Sequence, residues 1–199
     1  MTLRAVFFDL GGVIVRTEFQ APRQRLAEQL GLEYDHLARL VFESETSRAA
    51  SLGELSEDAH WDAVARQLNR PGEAARLRDE FFAGDALDRG LVDFIRSLRP
   101  RYKTGLISNA WDGLRAYMAR QKIDDAFDRL VISAEVGVMK PKAEIYRIAL
   151  EQLGVEPHES IFVDDFAENI EGARALGMIA VLFRDREQAV AQVKKRLKG

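Results

Sequence analysis

The sequence predicts an α/β protein: a doubly wound parallel sheet with a helical segment inserted after its first strand. From Asp88 onward, short apolar runs alternate with amphipathic helices, as in parallel sheets whose strands are joined by crossover helices. Before Asp88, a single strand near the start is followed by a long stretch, residues 16–86, that reads as helices. We therefore expect residues 1–15 and 87–199 to form the core, with residues 16–86 as an inserted helical cap.

The first strand is expected at residues 6–8, and its end carries the first candidate site residue. The run is continuously apolar, as expected of a strand covered on both faces, and Asp9 follows it directly. Ligands of open α/β sheets bind at the carboxyl ends of the strands. Asp9 is thus a candidate nucleophile, metal ligand or general base, or simply the cap of a turn. Gly11 and Gly12 permit a sharp turn and the close approach of a ligand.

The inserted stretch shows helical periodicity and no convincing strand. Helices are expected at residues 23–30 and 34–45, with residues 51–55 as a connector. Ser56 is a good N-cap for a third helix, and Pro71 suits the first turn of a fourth that runs towards Phe82. Further strands are expected at residues 104–107, 130–132, 160–163 and 179–183, and a basic helix ends the chain.

The composition excludes several classes of function. Lys and Arg number 29 and Asp and Glu 32, and a formal net charge of −3 gives no indication of a nucleic-acid or anionic membrane partner. The chain has no cysteine, which excludes disulfides and cysteine-ligated metals. We find no signal-peptide pattern and no apolar run long enough for a bilayer, so a cytoplasmic protein is expected. The sequence carries no indication of the oligomeric state.

Polar residues follow several strands at the points where the strands end, and in a doubly wound sheet these points meet in one crevice. Carboxylates gathered there repel one another and favour a bound cation, and an all-oxygen ligand set favours Mg²⁺. A hydroxyl, an amide and an ammonium group beside them suit the oxygens of a phosphoryl group. The residues are Asp9, Ser108, Asn109, Lys140, Asp164 and Asp165.

Four motifs along the whole chain, in this order, resemble those of the haloacid dehalogenase-like (HAD) hydrolases, most of which are phosphatases. They occupy residues 8–13, 107–109, 140–146 and 163–169. The resemblance, which is nearest to sugar-phosphate phosphatases and to the phosphatase domain of soluble epoxide hydrolase, implies a Rossmann-like core with a helical cap between the first two motifs. It also implies Mg²⁺-dependent hydrolysis of a small phosphate ester such as a sugar phosphate.

The resemblance assigns roles to the matching residues. Asp9 would be the nucleophile that forms an aspartyl-phosphate. Ser108 and Asn109 would bind the phosphate, and Lys140 would contact both the phosphate and Asp9.

The same resemblance implies a metal site. Asp9, the backbone carbonyl of Gly11 and Asp165 would bind Mg²⁺. Asp164 would lie behind these ligands or act through a water molecule.

One position departs from the family pattern. The second aspartate of the first motif, whose side chain is the family's general acid and base, is Gly11 here. Because general acid–base catalysis contributes about 10²–10⁴-fold, the departure affects the rate more than the binding of metal or phosphate. Glu18 or a residue of the cap is a candidate substitute, and without one, esters with good leaving groups should be preferred.

Other functions remain open at this stage. A phosphate-binding or scaffold protein with little turnover is one alternative, and a metal-independent 2-haloacid dehalogenase is a less favoured one. Phosphotransfer of the mutase type relies on the acid that Gly11 lacks. Position alone suggests that Gly53, Glu54 and Trp111 select the substrate, although Trp111 suits helix packing equally well.

Overall fold

The computed structural model describes residues 2–198. Five strands form a sheet in which every pair is parallel: β1 (Ala5–Phe8), β4 (Lys103–Ser108), β5 (Arg129–Ile132), β6 (Ser160–Asp164) and β7 (Ile179–Leu182). Their order is β5-β4-β1-β6-β7, which places β1 in the centre. The remaining strands, β2 (Val15–Thr17) and β3 (Asp85–Leu87), pair antiparallel as a separate ribbon. The predicted parallel α/β architecture is confirmed.

Helices connect the strands and fill the inserted stretch. No helix within residues 2–198 combines the length and the apolar character needed to cross a bilayer. The inserted helices are α1 (Ala21–Gln29), α2 (Tyr34–Phe42), α3 (Glu45–Ser51), α4 (Glu57–Gln67) and α5 (Ala74–Phe82). The others are α6 (Arg89–Leu98), α7 (Leu114–Gln121), α8 (Ser133–Val136), α9 (Ala143–Leu153), α10 (Ala167–Ala175) and α11 (Arg186–Lys198).

The sheet is buried on both faces because successive side chains of a strand point in opposite directions. In β1, Val6 and Phe8 join an apolar cluster with α6, α7 and α11. Ala5 and Phe7 join a second cluster with α9 and α10 on the other face. This two-sided burial explains why β1 is continuously apolar. The polar residue that follows β1 lies where this burial ends, at the edge of the sheet.

The inserted helices have an apolar cluster of their own. Leu26, Val41, Trp61 and Phe81 are buried in it, and Trp111 of the loop after β4 packs against its edge. The inserted helices therefore have a hydrophobic interior of their own, separate from the two clusters of the sheet.

The inserted helices also meet the core through polar and backbone contacts. The backbone N–H of Glu57, at the start of α4, donates to Asp112 Oδ1 at 2.9 Å. Gly53 has φ +75°, and a Cβ there would overlap the carbonyl oxygen of Ala134. The segment around residues 53–57 is thus in close contact with the loop after β4 and with α8, which follows β5.

The sequence predicts no strand between residues 16 and 86, and this prediction is wrong at both ends of that stretch. Arg16 and Thr17 pair with Ala86 and Asp85 in the ribbon. Each strand has only three residues, all partly exposed, so neither shows the alternation that identifies a strand locally. The pairing joins residues about 70 positions apart, and only tertiary structure brings them together.

Two helix boundaries also differ from the expectation. The helix expected at residues 34–45 ends at Phe42, because Ser44 is extended and caps a separate helix, α3, with its side chain. Pro71 lies before α5 and not in its first turn. The neighbouring Gly72 has φ +84°, a turn conformation that keeps Pro71 out of the helix. The predicted N-cap Ser56 is confirmed, since its side chain accepts from Ala59 N–H.

Candidate active site

Asp9 lies at the carboxyl end of the central strand and is almost completely buried. Its backbone N–H donates to the Val163 carbonyl at 2.9 Å and continues the pairing of β1 with β6. Its Oδ1 accepts from the Leu10 N–H at 2.7 Å. The turn after β1 therefore holds this carboxylate in one orientation.

Lys140 connects two of the predicted acids. Its Nζ lies 2.9 Å from Asp9 Oδ2 and 2.7 Å from Asp164 Oδ2. The lysine side chain has 0% exposure, so its charge is compensated by these carboxylates and not by water. A buried ammonium held in this way is a fixed positive charge beside Asp9.

Asp164 is fully occupied by protein partners. Besides Lys140, its carboxylate accepts from Asn169 Nδ2, which lies 3.0 Å from Oδ1 and 3.1 Å from Oδ2. Oδ1 also accepts from the Phe166 N–H at 2.8 Å. The side chain is completely buried, and its lone pairs are directed at these donors.

Asp165 is different, because its Oδ1 is buried and has no hydrogen-bond partner among the described residues. Carboxylate oxygens of Asp9, Asp164 and Asp165 all lie within 4.8 Å of one another. Burial, followed by the nearby charges of Asp9 and Asp164, raises the pKa of Asp165 to about 6. A cation would remove this repulsion and satisfy the unpaired oxygen. The all-oxygen donor set therefore fits Mg²⁺.

The glycines after Asp9 allow this arrangement. Gly12 has φ +74°, and a Cβ at this position would overlap the Asp165 carboxylate. Asp165 can approach the turn after β1 only because Gly12 has no side chain. Gly11, by contrast, has no neighbouring atom within 4 Å of a Cβ position, so the place of the absent side chain is open.

Charge and burial act on Asp9 in opposite directions. Burial raises the pKa of Asp9, whereas the Lys140 ammonium lowers it; the charge of Asp164 raises it further and the Ser108 hydroxyl lowers it. The net result is a pKa above the ordinary value. Lys140 and Ser108 thus favour the ionised carboxylate that a nucleophile requires.

The structure brings all six predicted strand-end residues to one edge of the sheet. Ser108 is the buried last residue of β4. The Asn109 side chain faces the backbone of Lys140: Nδ2 donates to the Lys140 carbonyl at 3.0 Å, and Oδ1 accepts from the Lys140 N–H at 2.8 Å. The Asn109 amide is directed at this loop.

Sequence reasoning assigned no role to Asn169, which holds both oxygens of Asp164. Asn169 lies within the fourth motif. Its spacing of five positions from Asp164 is the feature of the sequence from which this contact could have been predicted. One turn of helix after the strand end brings such a residue back over the carboxylate.

Two other candidates lie elsewhere. Glu18 pairs with Arg16 at 3.3 Å and lines a cleft beside Asp88 and Arg186. Trp111 packs into the aromatic cluster of the inserted helices, where its ring stacks on Phe42 at 6.3 Å between centroids. Packing therefore accounts for the position of Trp111.

The family of the chain follows from a comparison of its sequence with known families. Residues 3–177 match the model of the haloacid dehalogenase-like hydrolases. The chain belongs to this family. The match spans all four motifs and the inserted helices, so the resemblance inferred from the motifs is confirmed.

Two relatives show how far the similarity extends. The D-ribitol-5-phosphate phosphatase of Bacteroides thetaiotaomicron is 30% identical over 188 residues, which covers 88% of this chain and 89% of that protein. Bifunctional epoxide hydrolase 2 of Rattus norvegicus is 26% identical over 215 residues. That match covers 98% of this chain but only 39% of the relative, so the chain spans well under half of its length.

A solved structure shows the same fold. A HAD family enzyme from Bacteroides thetaiotaomicron, in complex with magnesium and inorganic phosphate, superposes with a TM-score of 0.78 at 19% identity. The superposition covers 92% of this chain and 94% of that one. The two chains therefore share one fold over most of their lengths.

Proposed function

We propose that this HAD-like hydrolase is a Mg²⁺-dependent phosphatase that hydrolyses a small phosphate ester through an aspartyl-phosphate. The observation that carries the proposal is the arrangement around Asp9. Its buried carboxylate lies 2.9 Å from the Lys140 ammonium and is grouped with two further carboxylates within 4.8 Å. A nucleophile, a fixed positive charge and a cation site meet in this one place.

The residues divide the reaction between them. A carboxylate oxygen of Asp9 attacks phosphorus, the bond to the ester oxygen breaks, and the leaving group departs with the bonding electron pair. Water then attacks the phosphorus of the aspartyl-phosphate and loses a proton to the solvent, and the bond between phosphorus and the Asp9 oxygen breaks. This step releases phosphate and restores the Asp9 carboxylate. Lys140 and the Ser108 hydroxyl orient the phosphoryl group and offset its negative charge.

Asp9, Asp165 and the Gly11 carbonyl are the residues that would hold Mg²⁺. When bound, the ion offsets the charge between the phosphate and the attacking carboxylate. The unpaired oxygen of Asp165 supports this assignment. Asp164, whose oxygens already accept from Lys140, Asn169 and Phe166, is the weaker candidate for a direct ligand. It would support the site by holding Lys140.

The substrate is proposed to be a sugar phosphate or a similar small ester. Support comes from the D-ribitol-5-phosphate phosphatase, which matches 88% of this chain. Gly11 adds a restriction, because no carboxylate at this position protonates the leaving oxygen. Esters with good leaving groups, such as anomeric sugar phosphates and aryl phosphates, should react faster than primary alkyl phosphates.

The loss of the acid at Gly11 also supports a second candidate, a phosphate-binding protein with little turnover. Both candidates bind phosphate, so only a turnover assay separates them. Magnesium dependence separates the phosphatase from the less favoured 2-haloacid dehalogenase, which would not need the acids at Asp164 and Asp165.

The test is a screen over sugar phosphates, nucleotides and aryl phosphates, with and without Mg²⁺, on the native chain and on Asp9→Asn. We expect turnover that requires Mg²⁺ and is abolished in Asp9→Asn, because an amide is neither a nucleophile nor a good Mg²⁺ ligand. Circular dichroism of Asp9→Asn should show a native fold. Retention of most activity in Asp9→Asn would reject Asp9 as the nucleophile, and phosphate binding without any turnover would favour the second candidate.

A further inference from the structure

Asn109 uses both ends of its amide on the backbone of a single residue. Its Nδ2 donates to the Lys140 carbonyl, and its Oδ1 accepts from the Lys140 N–H. The two residues are 31 positions apart and belong to different loops, one after β4 and one before α9. The amide therefore fixes where the Lys140 backbone lies, and both of its ends are engaged there.

The position of this backbone decides the position of the buried ammonium. Lys140 lies in the non-helical segment between Gly137 and Ala143, where no regular ladder holds the chain. Pro141 follows and offers no N–H for a further bond. At the far end of the side chain, Nζ must reach Asp9 and Asp164 at 2.9 and 2.7 Å. A displaced backbone would move Nζ away from at least one carboxylate.

We propose that Asn109 is a positioning residue, which acts on the phosphate only through Lys140. The inference rests on the proposed phosphatase function and replaces the sequence-based expectation that the Asn109 side chain binds phosphate itself. Its amide holds the Lys140 backbone so that the ammonium is in place before a substrate arrives. Such preorganisation of a charged group is worth more than the two hydrogen bonds alone.

Ser133 provides a matched control. Its Oγ accepts from the Ala110 N–H at 3.0 Å and donates to the Ala110 carbonyl at 3.2 Å. Ser133, the first residue of α8, thus ties the loop after β4 to the chain that follows β5, one residue along from Asn109, and forms these bonds with Ala110 and not with Lys140. Ser133→Ala removes an equal number of hydrogen bonds, so it measures what such a link to the loop after β4 contributes by itself.

The experiment measures the affinity for inorganic phosphate by calorimetry at saturating Mg²⁺, together with kcat and KM for the best ester of the screen. We expect Asn109→Ala to weaken phosphate binding about tenfold or more, the size of one or two lost hydrogen bonds. Ser133→Ala should change it by less than about twofold, although both variants lose similar thermal stability. Equal losses of phosphate affinity in the two variants would overturn the proposal in favour of a purely structural link.

A double-mutant cycle separates action through Lys140 from direct contact. If Asn109 acts through Lys140, adding Asn109→Ala to Lys140→Ala produces no further loss of phosphate affinity. If the Asn109 amide contacts the phosphate, the two losses add, and the proposal is wrong. Where Lys140→Ala fails to fold, the same cycle is measured with Lys140→Gln, which removes the ammonium but keeps most of the side-chain volume.

The native chain is measured first, so that two kinds of failure can be told apart. A native chain that turns over, combined with additive losses in the cycle, rejects only the role of Asn109. A native chain that neither binds phosphate nor turns over rejects the proposed function, and the role of Asn109 with it. Lys142→Ala serves as a surface control, since Lys142 only precedes α9 and is expected to matter little.

Discussion

At the scale of single residues, the adjacent acids Asp164 and Asp165 differ in what their oxygens already contact. Asp164 accepts from Lys140, Asn169 and the Phe166 N–H. Asp165 has a buried oxygen that no donor within residues 2–198 satisfies. The two neighbouring carboxylates therefore differ in their contacts, and we propose that Asp164 holds the buried lysine whereas Asp165 faces a cation.

This division predicts opposite behaviour of two variants. Asp165→Ala should keep or raise the melting temperature without metal, because it removes like-charge repulsion, but should lose most of the stabilisation by Mg²⁺. Asp164→Ala should lower metal-free stability by about 3–5 kcal/mol, because Lys140 loses a buried partner. Thermal melts of both variants with and without Mg²⁺ test this, and equal or exchanged effects would contradict the assignment.

Gly11 leads to a prediction about the leaving group. No atom lies within 4 Å of a Cβ at this position, so Gly11→Asp should fold normally. The introduced carboxyl should raise kcat/KM for primary alkyl phosphates by up to about 10²-fold, with a smaller gain for aryl phosphates, which need no acid. The measurement is a leaving-group series on the native chain, Gly11→Asp and the control Gly11→Asn. A flat series in the native chain would show that another group supplies the proton.

At the scale of elements, the start of α4 is held from two sides. The Ser56 side chain, which belongs to the insertion, accepts from the Ala59 N–H. The Asp112 side chain, which belongs to the loop after β4, accepts from the Glu57 N–H. A helix end has several unpaired N–H groups, and each cap satisfies one of them. The second cap belongs to the core, so the start of this helix is also a point of contact between the two parts of the chain.

Two single substitutions separate capping from docking. Ser56→Ala and Asp112→Ala should each cost about 1 kcal/mol in the free energy of unfolding, the usual value of an N-cap. Only Asp112→Ala should also speed amide hydrogen exchange across residues 53–57, because it removes a bond to the core. Hydrogen exchange followed by mass spectrometry tests this. The same increase in Ser56→Ala would mean that Asp112 acts as a helix cap alone.

At the scale of the whole molecule, Asp88 joins three parts of the chain. Its carboxylate accepts from the Leu91 N–H at the start of α6, at 2.9 Å. It also pairs with Arg16 of the ribbon at 2.9 Å and with Arg186 of α11 at 3.0 Å. Burial by itself would raise the pKa of Asp88, but the Leu91 N–H and the two guanidinium groups together lower it.

The lowered pKa predicts how stability depends on pH. The unfolded aspartate titrates near pH 4, so the contribution of Asp88 is complete above that value and is lost as the pH falls through the lower folded pKa. Asp88→Asn should cost about 1–3 kcal/mol at pH 7, and the difference from the native chain should shrink below about pH 4. Urea unfolding across pH 3–7 measures it.

The control is Asp93→Asn on the same helix, since Asp93 is 73% exposed and its one ion pair within residues 2–198 is with Arg96. Its effect should stay below about 0.5 kcal/mol at every pH, as for other exposed ion pairs. A difference between Asp88→Asn and the native chain that does not change with pH would contradict the role of the Asp88 charge.

The sequence by itself determined the five strands of the main sheet and the chemistry at their ends. Buried strands such as β1 are continuously apolar, and a polar residue such as Asp9 must mark the point where burial stops. Both signals are local, so they are visible without any knowledge of the partners. The order of the motifs then identified the family.

Only the tertiary structure decided what each polar side chain contacts. Examples are the pairing of the ribbon, the different hydrogen bonds of Asp164 and Asp165, and the two hydrogen bonds between Asn109 and the Lys140 backbone. A hydrogen bond requires donor and acceptor atoms about 3 Å apart, so a loop that is one residue longer or shorter gives a polar side chain a different partner. Local sequence pattern sets which residues reach the edge of the sheet, whereas long-range packing sets their partners.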